Sequence, residues 1–174
     1  MTLARKKTSE HIYSYLEHEL KNSIQGEVNF DEVYRQMYST DGSIYKMTPI
    51  GVTLPKNPDD VSAIIDICNK NNTAVLPRGG GTSLSGQTVN SAVVMDFSKY
   101  MNNVLEINPE ENYVITEPGI TIDNLNQRVK HTNLHFTPDP STKARANVGG
   151  AMGNNSCGTH SVIYGKTVDQ VKEM

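Results

Sequence analysis

The sequence predicts an α+β fold, and two observations support this prediction. A short apolar run at residues 50–54 is followed by a helical pattern and a second apolar run at residues 73–76, which is the order of a strand–helix–strand unit. The second run, interpreted as a buried strand, leads directly into residues 77–87, a loop with three consecutive glycines. This loop follows the carboxyl end of a strand, which is the usual side for ligands in α/β sheets.

Size and charge exclude several classes of protein. The 174 residues suit one domain, or one domain with an appendage, and 36% of them are hydrophobic and 20% charged, as in ordinary globular domains. The net charge of −3 does not indicate a basic surface for binding nucleic acid. No apolar run approaches the length of a membrane span, and the first ten residues lack the apolar region of a secretory signal. Cys68 and Cys157 are too few for a disulfide framework, so a cytoplasmic location is expected.

Residues 1–46 are expected to form a helical lead, and residues 47–174 the main domain. Apolar residues at helical spacing predict one helix over residues 8–24, and a second is expected over residues 30–38 after a cap at Asn29. The spacing behind the first helix is that of Ile12, Leu16 and Leu20. Three tyrosines are interpreted as packing the lead onto the main domain, with a pocket lining as the alternative: Tyr34, Tyr38 and Tyr45.

The main domain continues as alternating helices and strands. The helix of the first unit is expected to be capped by Asp59 or Asp60 and to bury one stripe of side chains. That stripe consists of Val61, Ile64, Ile65 and Cys68. A strand is expected at residues 92–97. Residues 104–107 and 113–116 flank a turn-forming stretch, which predicts a hairpin.

Toward the end of the chain, Thr121 is expected to cap a helix that runs to about residue 131. Its buried side would carry Ile122, Leu125 and Val129. Residues 138–141 predict a tight turn, and residues 167–174 are expected to begin a strand. Because a strand that stops without a partner is an unusual end for a domain, the sequence is expected to be a truncated product or an excised piece.

The composition of the first glycine loop is that of an anion site. Glycines allow successive backbone N–H groups to turn toward one point, and the loop adds hydroxyl groups and one arginine. It fits a phosphate or a diphosphate, with an empty flexible loop as the alternative. Leu84 stands where the dinucleotide fingerprint needs glycine, and Gln87 stands where the P-loop needs lysine. The loop therefore matches neither of these two motifs, and a nucleoside triphosphatase is disfavoured.

A second glycine-rich segment lies at residues 147–161. Its small residues would let a short helix or turn approach a flat ligand closely, and its polar side chains suit carbonyls and ring nitrogens. Cys157 and His160 could instead form a nucleophile pair. A zinc site with His131 and His135 is a further alternative, but no recognised spacing joins these residues. His160 is therefore interpreted as a donor to a cofactor, with a hydrogen-bonded loop histidine as the alternative.

Together these segments resemble the flavin-binding domain of the vanillyl-alcohol-oxidase superfamily, also called the PCMH-type FAD-binding domain. The resemblance covers about residue 49 to the end. Its motifs are Pro77-Arg78-Gly79-Gly80-Gly81-Thr82-Ser83-Leu84-Ser85-Gly86, Glu117-Pro118-Gly119, Asp139-Pro140-Ser141, Val148-Gly149-Gly150, Asn154-Asn155-Ser156-Cys157-Gly158-Thr159-His160-Ser161 and Tyr164-Gly165. Within the superfamily the chain is most similar to the FAD-linked 2-hydroxy-acid dehydrogenases, the group of D-lactate dehydrogenase, the glycolate oxidase flavoprotein subunit and D-2-hydroxyglutarate dehydrogenase. Its helical lead resembles the members fused to an iron–sulfur half.

The resemblance implies two small α/β subdomains with FAD between them. The first loop would hold the diphosphate through backbone N–H groups, and the later residues would run along the ribityl chain and the flavin. The implied cofactor-binding residues are Pro77, Arg78, Gly79, Gly80, Gly81, Thr82, Ser83, Leu84, Gly86, Gln87, Pro140, Ser141, Gly149, Gly150, Gly153, Asn154, Asn155, Ser156, Gly158, Thr159 and His160. Some relatives link flavin covalently through a histidine directly after the triple glycine. Thr82 stands there, so a dissociable FAD is expected, although Cys157 leaves a covalent link open.

The function implied is that of a flavoprotein oxidoreductase that oxidises a D-2-hydroxy acid of the D-lactate, glycolate or D-2-hydroxyglutarate type. Hydride would pass to the flavin, and electrons would leave through a separate acceptor. The resemblance assigns no catalytic residue and no metal ligand to this chain; the base and any iron–sulfur cluster are expected in missing sequence, so the piece alone is expected to be inactive. The alternative is a non-catalytic FAD- or nucleotide-binding fragment that needs a partner. Peripheral attachment of the full-length enzyme to a membrane is left open.

Overall fold

The computed structural model describes the backbone of residues 2–174 and the side chains of residues 13–174. The chain contains both helices and strands, as the α+β prediction requires. Within these described residues, no helix combines the length and the apolar character that a membrane span needs. The chain forms two compact units, and each is described below by itself.

The first unit holds the residues up to Arg78 together with Ser83–Asp96. Its elements are the helices α1 (Thr2–Ser23), α2 (Glu32–Met37) and α3 (Pro58–Lys70) and the strands β1 (Glu27–Asn29), β2 (Gly51–Leu54), β3 (Val75–Arg78) and β4 (Val93–Asp96). The strands form one sheet in the order β1-β2-β4-β3, in which β1 is antiparallel to β2 and the other three are parallel. Strand β4 is buried along its whole length because it has a neighbour on each side.

The strand before the glycine loop is an edge strand, which corrects the prediction of a buried one. Strand β3 runs from Val75 to Arg78, two residues later than predicted, and most of its side chains are half-buried. Ala74, which the prediction placed inside the strand, is exposed. A short apolar run does not reveal how many neighbours a strand has. The strands predicted at residues 50–54 and 92–97 are confirmed as β2 and β4, each to within one residue.

The predicted lead contributes to the sheet and the core of this unit. Strand β1 pairs with β2, which places three residues of the lead in the sheet. Leu16 and Leu20 of α1 are fully buried, so the apolar stripe predicted for the first helix is confirmed at these two positions. Ile12, the third residue of that stripe, lies outside the described side chains.

Helix α2 is shorter than predicted and starts later. Asp31 caps it, because its carboxylate accepts a hydrogen bond from the backbone N–H of Tyr34 at 3.1 Å. Asn29 ends β1 instead, so the predicted cap at Asn29 is wrong. Tyr38, which follows the helix, is half-buried and donates its hydroxyl to the carboxylate of Asp96 at 2.6 Å. This tyrosine therefore packs within the unit, as expected.

The cap of α3 also differs from the prediction. The side-chain carbonyl of Asn57 accepts a hydrogen bond from the backbone N–H of Asp60 at 2.9 Å. Pro58 follows at the first helical position, where its missing N–H would have no partner in any case. The helix thus begins two or three residues earlier than predicted, and the caps predicted at Asp59 and Asp60 are wrong.

The buried stripe of α3 is shifted from the predicted one. Ile64 and Cys68 are fully buried, as predicted, but Ile65 is 48% exposed and Ile67 takes its place in the core. Burial raises the pKa of the Cys68 thiol to about 11, so at neutral pH this side chain is an uncharged apolar group. The interpretation of Cys68 as a core residue is therefore confirmed.

Replacing Asp60 by alanine is expected to destabilise the protein by about 1–3 kcal/mol. Its carboxylate is 3% exposed and accepts hydrogen bonds from the backbone N–H groups of Gln25 (2.8 Å) and Lys56 (2.9 Å), so both donors would lose their partner. Urea unfolding measures the loss. Asp59→Ala, at the exposed neighbouring position, is the matched control and is expected to stay within about 0.5 kcal/mol of the wild type. Equal losses in the two variants would contradict the prediction.

The second unit holds Gly79–Thr82 together with Phe97–Met174. Its elements are the antiparallel hairpin of β5 (Val104–Asn108) and β6 (Tyr113–Thr116), the helices α4 (Ile122–Val129), α5 (Val148–Asn154), α6 (Ser161–Tyr164) and α7 (Thr167–Gln170), and a 3-10 turn at Lys130–Thr132. Its core consists of Ile120, Ile122, Leu125, Val129, Ala146, Val148 and Ala151. The hairpin is confirmed. So is helix α4, whose predicted cap Thr121 accepts a hydrogen bond from Asn124 N–H at 3.2 Å.

Two predictions for this unit are wrong. The turn predicted at residues 138–141 begins later: the Lys143 N–H donates to the Pro140 carbonyl at 3.0 Å, and residues 138 and 139 have no regular secondary structure. The strand predicted from residue 167 is the short helix α7. The backbone N–H of Lys166 donates to the Asp169 carboxylate at 2.7 Å, and the buried Thr167 hydroxyl donates to the carbonyl of Ser156 at 2.8 Å. One local hydrogen bond and one to a residue eleven positions away thus stabilise a helical turn that the apolar residues did not indicate.

Candidate functional site

The first glycine-rich loop presents a row of backbone donors. Within the described part of the chain, the N–H groups of the run Gly79–Thr82 donate no hydrogen bond to another protein atom. Backbone N–H groups are strong donors that are nearly always paired in folded proteins, by water or a ligand where not by protein. Four successive donors without a protein acceptor are available to water or to a ligand, and an anion is one ligand that such a run can bind.

Glycine is required in this loop because it approaches another backbone segment. A Cβ at Gly80 would lie 2.0 Å from the carbonyl oxygen of Arg145, and a Cβ at Gly79 would lie 2.5 Å from the side-chain oxygen of Asn147. Gly81 has a φ of 63°, a conformation that favours glycine. The structure thus brings the first glycine run together with the residues just before α5. Sequence reasoning missed the contribution of Arg145, because a main-chain carbonyl leaves no signal in the residue type.

Asn147 is a second residue that sequence reasoning did not single out. It is 3% exposed and donates its side-chain amide to the carbonyl of Gly119. Its side-chain oxygen is buried and makes no hydrogen bond within the described residues. A buried acceptor without a partner costs about 1–3 kcal/mol, so this atom, beside Gly79, suits a ligand hydroxyl or a water molecule.

The predicted loop residues from Ser83 to Gln87 belong to the first unit and form a compact turn. The Ser83 hydroxyl oxygen accepts hydrogen bonds from the backbone N–H groups of Ser85 (3.2 Å) and Gln87 (3.3 Å), and it also contacts the side-chain oxygen of Gln87. Gly86 has a φ of 76° and lies against the ring of Tyr45. Leu84 is 81% exposed. The turn is therefore ordered by its own side chains.

The Arg78 side chain donates hydrogen bonds to backbone carbonyl groups of the protein. Its guanidinium donates to the backbone oxygens of Thr88 (2.9 Å), Thr40 (2.8 Å) and Tyr38 (3.2 Å), and it lies over the Tyr38 ring at 5.2 Å. Burial lowers the pKa of this guanidinium, with the carboxylates of Asp96 and Asp41 acting in the opposite direction. The positive charge therefore lies at the start of the loop, where its hydrogen bonds connect the backbone at Tyr38 and Thr40 to the backbone at Thr88.

Helix α5 presents two different sides. Val148 and Ala151 are buried in the core of the second unit. Gly150 and Gly153 are exposed, and a Cβ at either position would meet no atom within 4 Å. The helix therefore combines an anchored apolar side with a smooth, open glycine surface. Such a surface leaves room for a flat ligand to approach the backbone closely.

Two separate contacts hold the last part of the second glycine-rich segment, one at Asn155 and one at Gly158. Asn155 lies in the left-handed region at the end of α5, and its side-chain oxygen accepts a hydrogen bond from the N–H of Val168 at 3.0 Å. A Cβ at Gly158 would lie 2.0 Å from the carbonyl oxygen of Asp139, so this glycine allows the close contact of two loops. The structure thereby brings the predicted residues around Pro140 next to those around Gly158.

His160 lies in the same contact. Its Nδ1 is 3.5 Å from the Asp139 carboxylate. An ion pair with Lys143 at 2.8 Å is the main cause that lowers the pKa of Asp139, with His160 adding to it. Cys157 is exposed, and among the described residues no hydrogen bond joins it to His160. No group of three His, Cys, Asp or Glu side chains within the described chain is arranged to hold a metal ion.

The sequence profile of a family described as "FAD binding domain" matches residues 49–174. D-2-hydroxyglutarate dehydrogenase of Pseudomonas putida is 38% identical over 159 residues, which are 89% of this chain and 16% of that protein. Glycolate oxidase subunit GlcD of Bacillus subtilis is 35% identical over 153 residues, which are 85% of this chain and 32% of that protein. The chain thus spans less than two thirds of the length of either relative.

The fold is shared with solved structures. The structure of an alkyldihydroxyacetonephosphate synthase superposes on this chain with a TM-score of 0.82 and covers 91% of it, while the chain covers 32% of that protein. The two are 22% identical, a level at which the likeness concerns the fold alone. It confirms the fold class that the sequence and its resemblance predict.

Proposed function

The chain belongs to the FAD binding domain family, and from this membership we propose that it binds FAD with its two glycine-rich segments, as the FAD-binding part of a flavoprotein that oxidises a D-2-hydroxy acid. The observation that carries the proposal is the run of unpaired backbone N–H groups at Gly79–Thr82. A diphosphate offers several anionic oxygens to such a run, and hydrogen bonds to charged groups contribute about 1.5–3 kcal/mol each. The remaining loop residues, from Pro77 to Gln87, complete this half of the site.

The second segment is proposed to contact the ribityl chain and the flavin ring. The open surface at Gly150 and Gly153 supports a contact with a flat ring. The unpaired buried oxygen of Asn147 supports a contact with a ribityl hydroxyl, which is the kind of donor it lacks. The other residues assigned to this half are Pro140, Ser141, Gly149, Asn154, Asn155, Ser156, Gly158, Thr159 and His160. In Asn155 the side-chain oxygen is used within the protein, so its proposed donor is the side-chain amide N–H.

We expect the cofactor to be bound without a covalent link. Thr82 follows the triple glycine, and a threonine hydroxyl does not form the link that a histidine forms at this place in some relatives. Cys157 is exposed and is the residue on which a covalent alternative would rest. Acid denaturation distinguishes the two, since dissociable FAD is released into the supernatant and covalently linked flavin stays with the precipitate.

The substrate class rests on the relatives, one of which is a D-2-hydroxyglutarate dehydrogenase and the other a glycolate oxidase subunit. Both names refer to acids with a hydroxyl on the carbon next to the carboxylate. Bound FAD would supply the acceptor for the hydride that leaves this carbon. The residues of this chain would bind and orient the cofactor, and a separate acceptor would take the electrons. A cytoplasmic location belongs to the same proposal, as does peripheral membrane association of the full-length enzyme.

The division of the chain into a lead of residues 1–46 and an FAD-binding domain of residues 47–174 is also a proposal. It is supported by the family match, which begins at residue 49. The alternative function, a non-catalytic FAD-binding module that works with a partner, shares the same cofactor site. The two functions differ in whether a 2-hydroxy acid reduces the bound flavin.

Flavin titration of the purified protein tests the proposal. FAD is expected to bind with quenching of its fluorescence, and riboflavin, which lacks both phosphates, is expected to bind at least about 100-fold more weakly because several charge-assisted hydrogen bonds are lost. Equal binding of the two would contradict the diphosphate site. In the whole flavoprotein that this chain is proposed to serve, anaerobic addition of D-2-hydroxyglutarate, glycolate or D-lactate should then bleach the visible absorbance of the flavin; the chain alone is expected to be inactive. Binding without bleaching by any of them would favour the non-catalytic module.

A further inference from the structure

Resting on the proposed binding of FAD, we propose that residues 38–41 act as a clamp that holds the glycine loop in its binding shape. We call these residues the clamp segment. Its members Tyr38 and Asp41 would be positioning residues: they act through the loop and do not touch the cofactor. The clamp segment belongs to the predicted lead, which the resemblance to the flavin domain does not cover. All the contacts that carry the inference lie within the first unit.

The clamp segment is joined to the beginning of the loop through Arg78. The guanidinium of Arg78 donates to the backbone carbonyls of Tyr38 at 3.2 Å and of Thr40 at 2.8 Å. The same guanidinium donates to the carbonyl of Thr88 at 2.9 Å, just past the end of the loop. One side chain thus ties the clamp segment to both ends of the glycine-rich run.

A second connection joins the clamp segment to the end of the loop. The carboxylate of Asp41 accepts hydrogen bonds from the hydroxyl of Thr88 at 2.9 Å and from its backbone N–H at 3.4 Å. Its other oxygen accepts a hydrogen bond from the N–H of Ser43 at 2.9 Å, which fixes the direction of the carboxylate. Burial alone would raise the pKa of Asp41, but the hydrogen bonds from Ser43 and Thr88 outweigh it and lower this pKa. The carboxylate is therefore charged at neutral pH.

The clamp segment is itself anchored to the sheet. The Tyr38 hydroxyl donates to the carboxylate of Asp96 at 2.6 Å, and Asp96 is buried at the end of the central strand β4. Arg78 is the register partner of Asp96 on β3, and its guanidinium lies over the Tyr38 ring. Asp96, Tyr38 and Arg78 therefore form one cluster of contacts. A shift of the clamp segment would break its contacts to strands β3 and β4.

These contacts matter for binding because a glycine-rich loop loses much conformational freedom when it is ordered. If the ends of the loop are already held in the free protein, part of this loss occurs on folding, and less of it opposes the binding of the cofactor. The clamp segment would then raise the affinity for FAD through preorganisation alone. A clamp that only stabilises the fold would leave the affinity unchanged.

The test compares two substitutions at one position of the clamp contact. Thr88→Val removes the hydroxyl that donates to Asp41 and keeps the shape of the side chain, while Thr88→Ser keeps the hydroxyl. Hydrogen–deuterium exchange of the cofactor-free protein is expected to be about 10-fold faster at the hydrogen-bonded loop N–H groups of Ser85 and Gln87 in the valine variant, with the strand Gly51–Leu54 unchanged. The dissociation constant for FAD is expected to rise about 10-fold in the valine variant and to stay within about 2-fold in the serine variant.

Asp41→Ala is the stronger variant, with an expected rise in the dissociation constant of about 10- to 100-fold. Glu32→Gln, which removes an exposed carboxylate from the helix just before the clamp segment, is its control for charge. Unchanged exchange at the N–H groups of Ser85 and Gln87 in Thr88→Val and Asp41→Ala would overturn the clamp. Faster exchange with an unchanged FAD affinity would overturn its role in binding. A wild-type protein that binds no FAD would instead overturn the proposed function, and the exchange data would still decide whether the clamp exists.

Discussion

Replacing Gly80 by alanine is expected to lower the affinity for FAD by at least about 100-fold and to destabilise the protein by about 1–3 kcal/mol. The added Cβ would lie 2.0 Å from the carbonyl oxygen of Arg145. This carbonyl cannot turn away easily, since the N–H of Ala146 in the same peptide group donates to the carbonyl of Thr142 at 2.8 Å. The glycine run has to move instead, and its backbone N–H groups move with it.

Two measurements check this expectation. Urea unfolding of the cofactor-free protein gives the change in stability, and fluorescence titration gives the dissociation constant for FAD. Because both quantities should change, the variant has to be shown to be folded at the temperature of the titration. A folded Gly80→Ala protein that binds FAD as tightly as the wild type would contradict the assignment of the loop to the diphosphate.

Replacing Gly153 by alanine is expected to change stability and affinity in opposite directions. In the cofactor-free protein the added Cβ would meet no atom within 4 Å, and alanine favours a helix over glycine by about 0.5–1 kcal/mol, so the protein should become more stable by about this amount. If the flavin ring lies on the open surface of α5, the same methyl group would occupy the space of the cofactor. The affinity for FAD should then fall by about 10-fold or more.

Opposite changes in protein stability and in FAD affinity would distinguish a binding surface from an ordinary exposed helix. Thermal unfolding without and with FAD measures both effects on the same sample, because a weaker ligand stabilises less at a given concentration. Gly150→Ala is the matched second variant on the same surface, and it should behave alike. A gain in stability with unchanged FAD affinity in both variants would show that the flavin does not lie against α5. Gly153→Ala also serves as the folding control for Gly80→Ala, since it adds the same atom in open space.

Local patterns predicted much of the secondary structure. The hairpin of β5 and β6 and helix α4 with its Thr121 cap follow from apolar periodicity and turn composition, which act over a few residues. The predicted caps of α2 and α3 differ from the observed ones by two or three positions, because several nearby polar residues compete for the same role. Helix α7 was taken for a strand. Its hydrogen bond to Ser156 joins positions that are distant in the sequence.

The candidate site was predictable as a composition but not as an arrangement. The triple glycine indicates donors for an anion. Nothing in the residue types shows that Gly80 faces the carbonyl of Arg145 or that Asn147 carries an unpaired oxygen beside Gly79. The role of Arg78 changed most. The sequence favours a charge for a phosphate, whereas the folded chain uses its guanidinium on three carbonyl groups.

The amino-acid sequence by itself determined the fold class and the place of the two glycine-rich segments, because these depend on residue type and short-range spacing, and its resemblance to the flavin-binding domain implied the cofactor. Tertiary structure alone decided that β3 is an edge strand and that the lead contributes β1 to the sheet. It also decided that Asp41 and Thr88 meet at the end of the loop. Such contacts join residues far apart in the chain, and only the packing of the whole unit brings them within hydrogen-bonding distance.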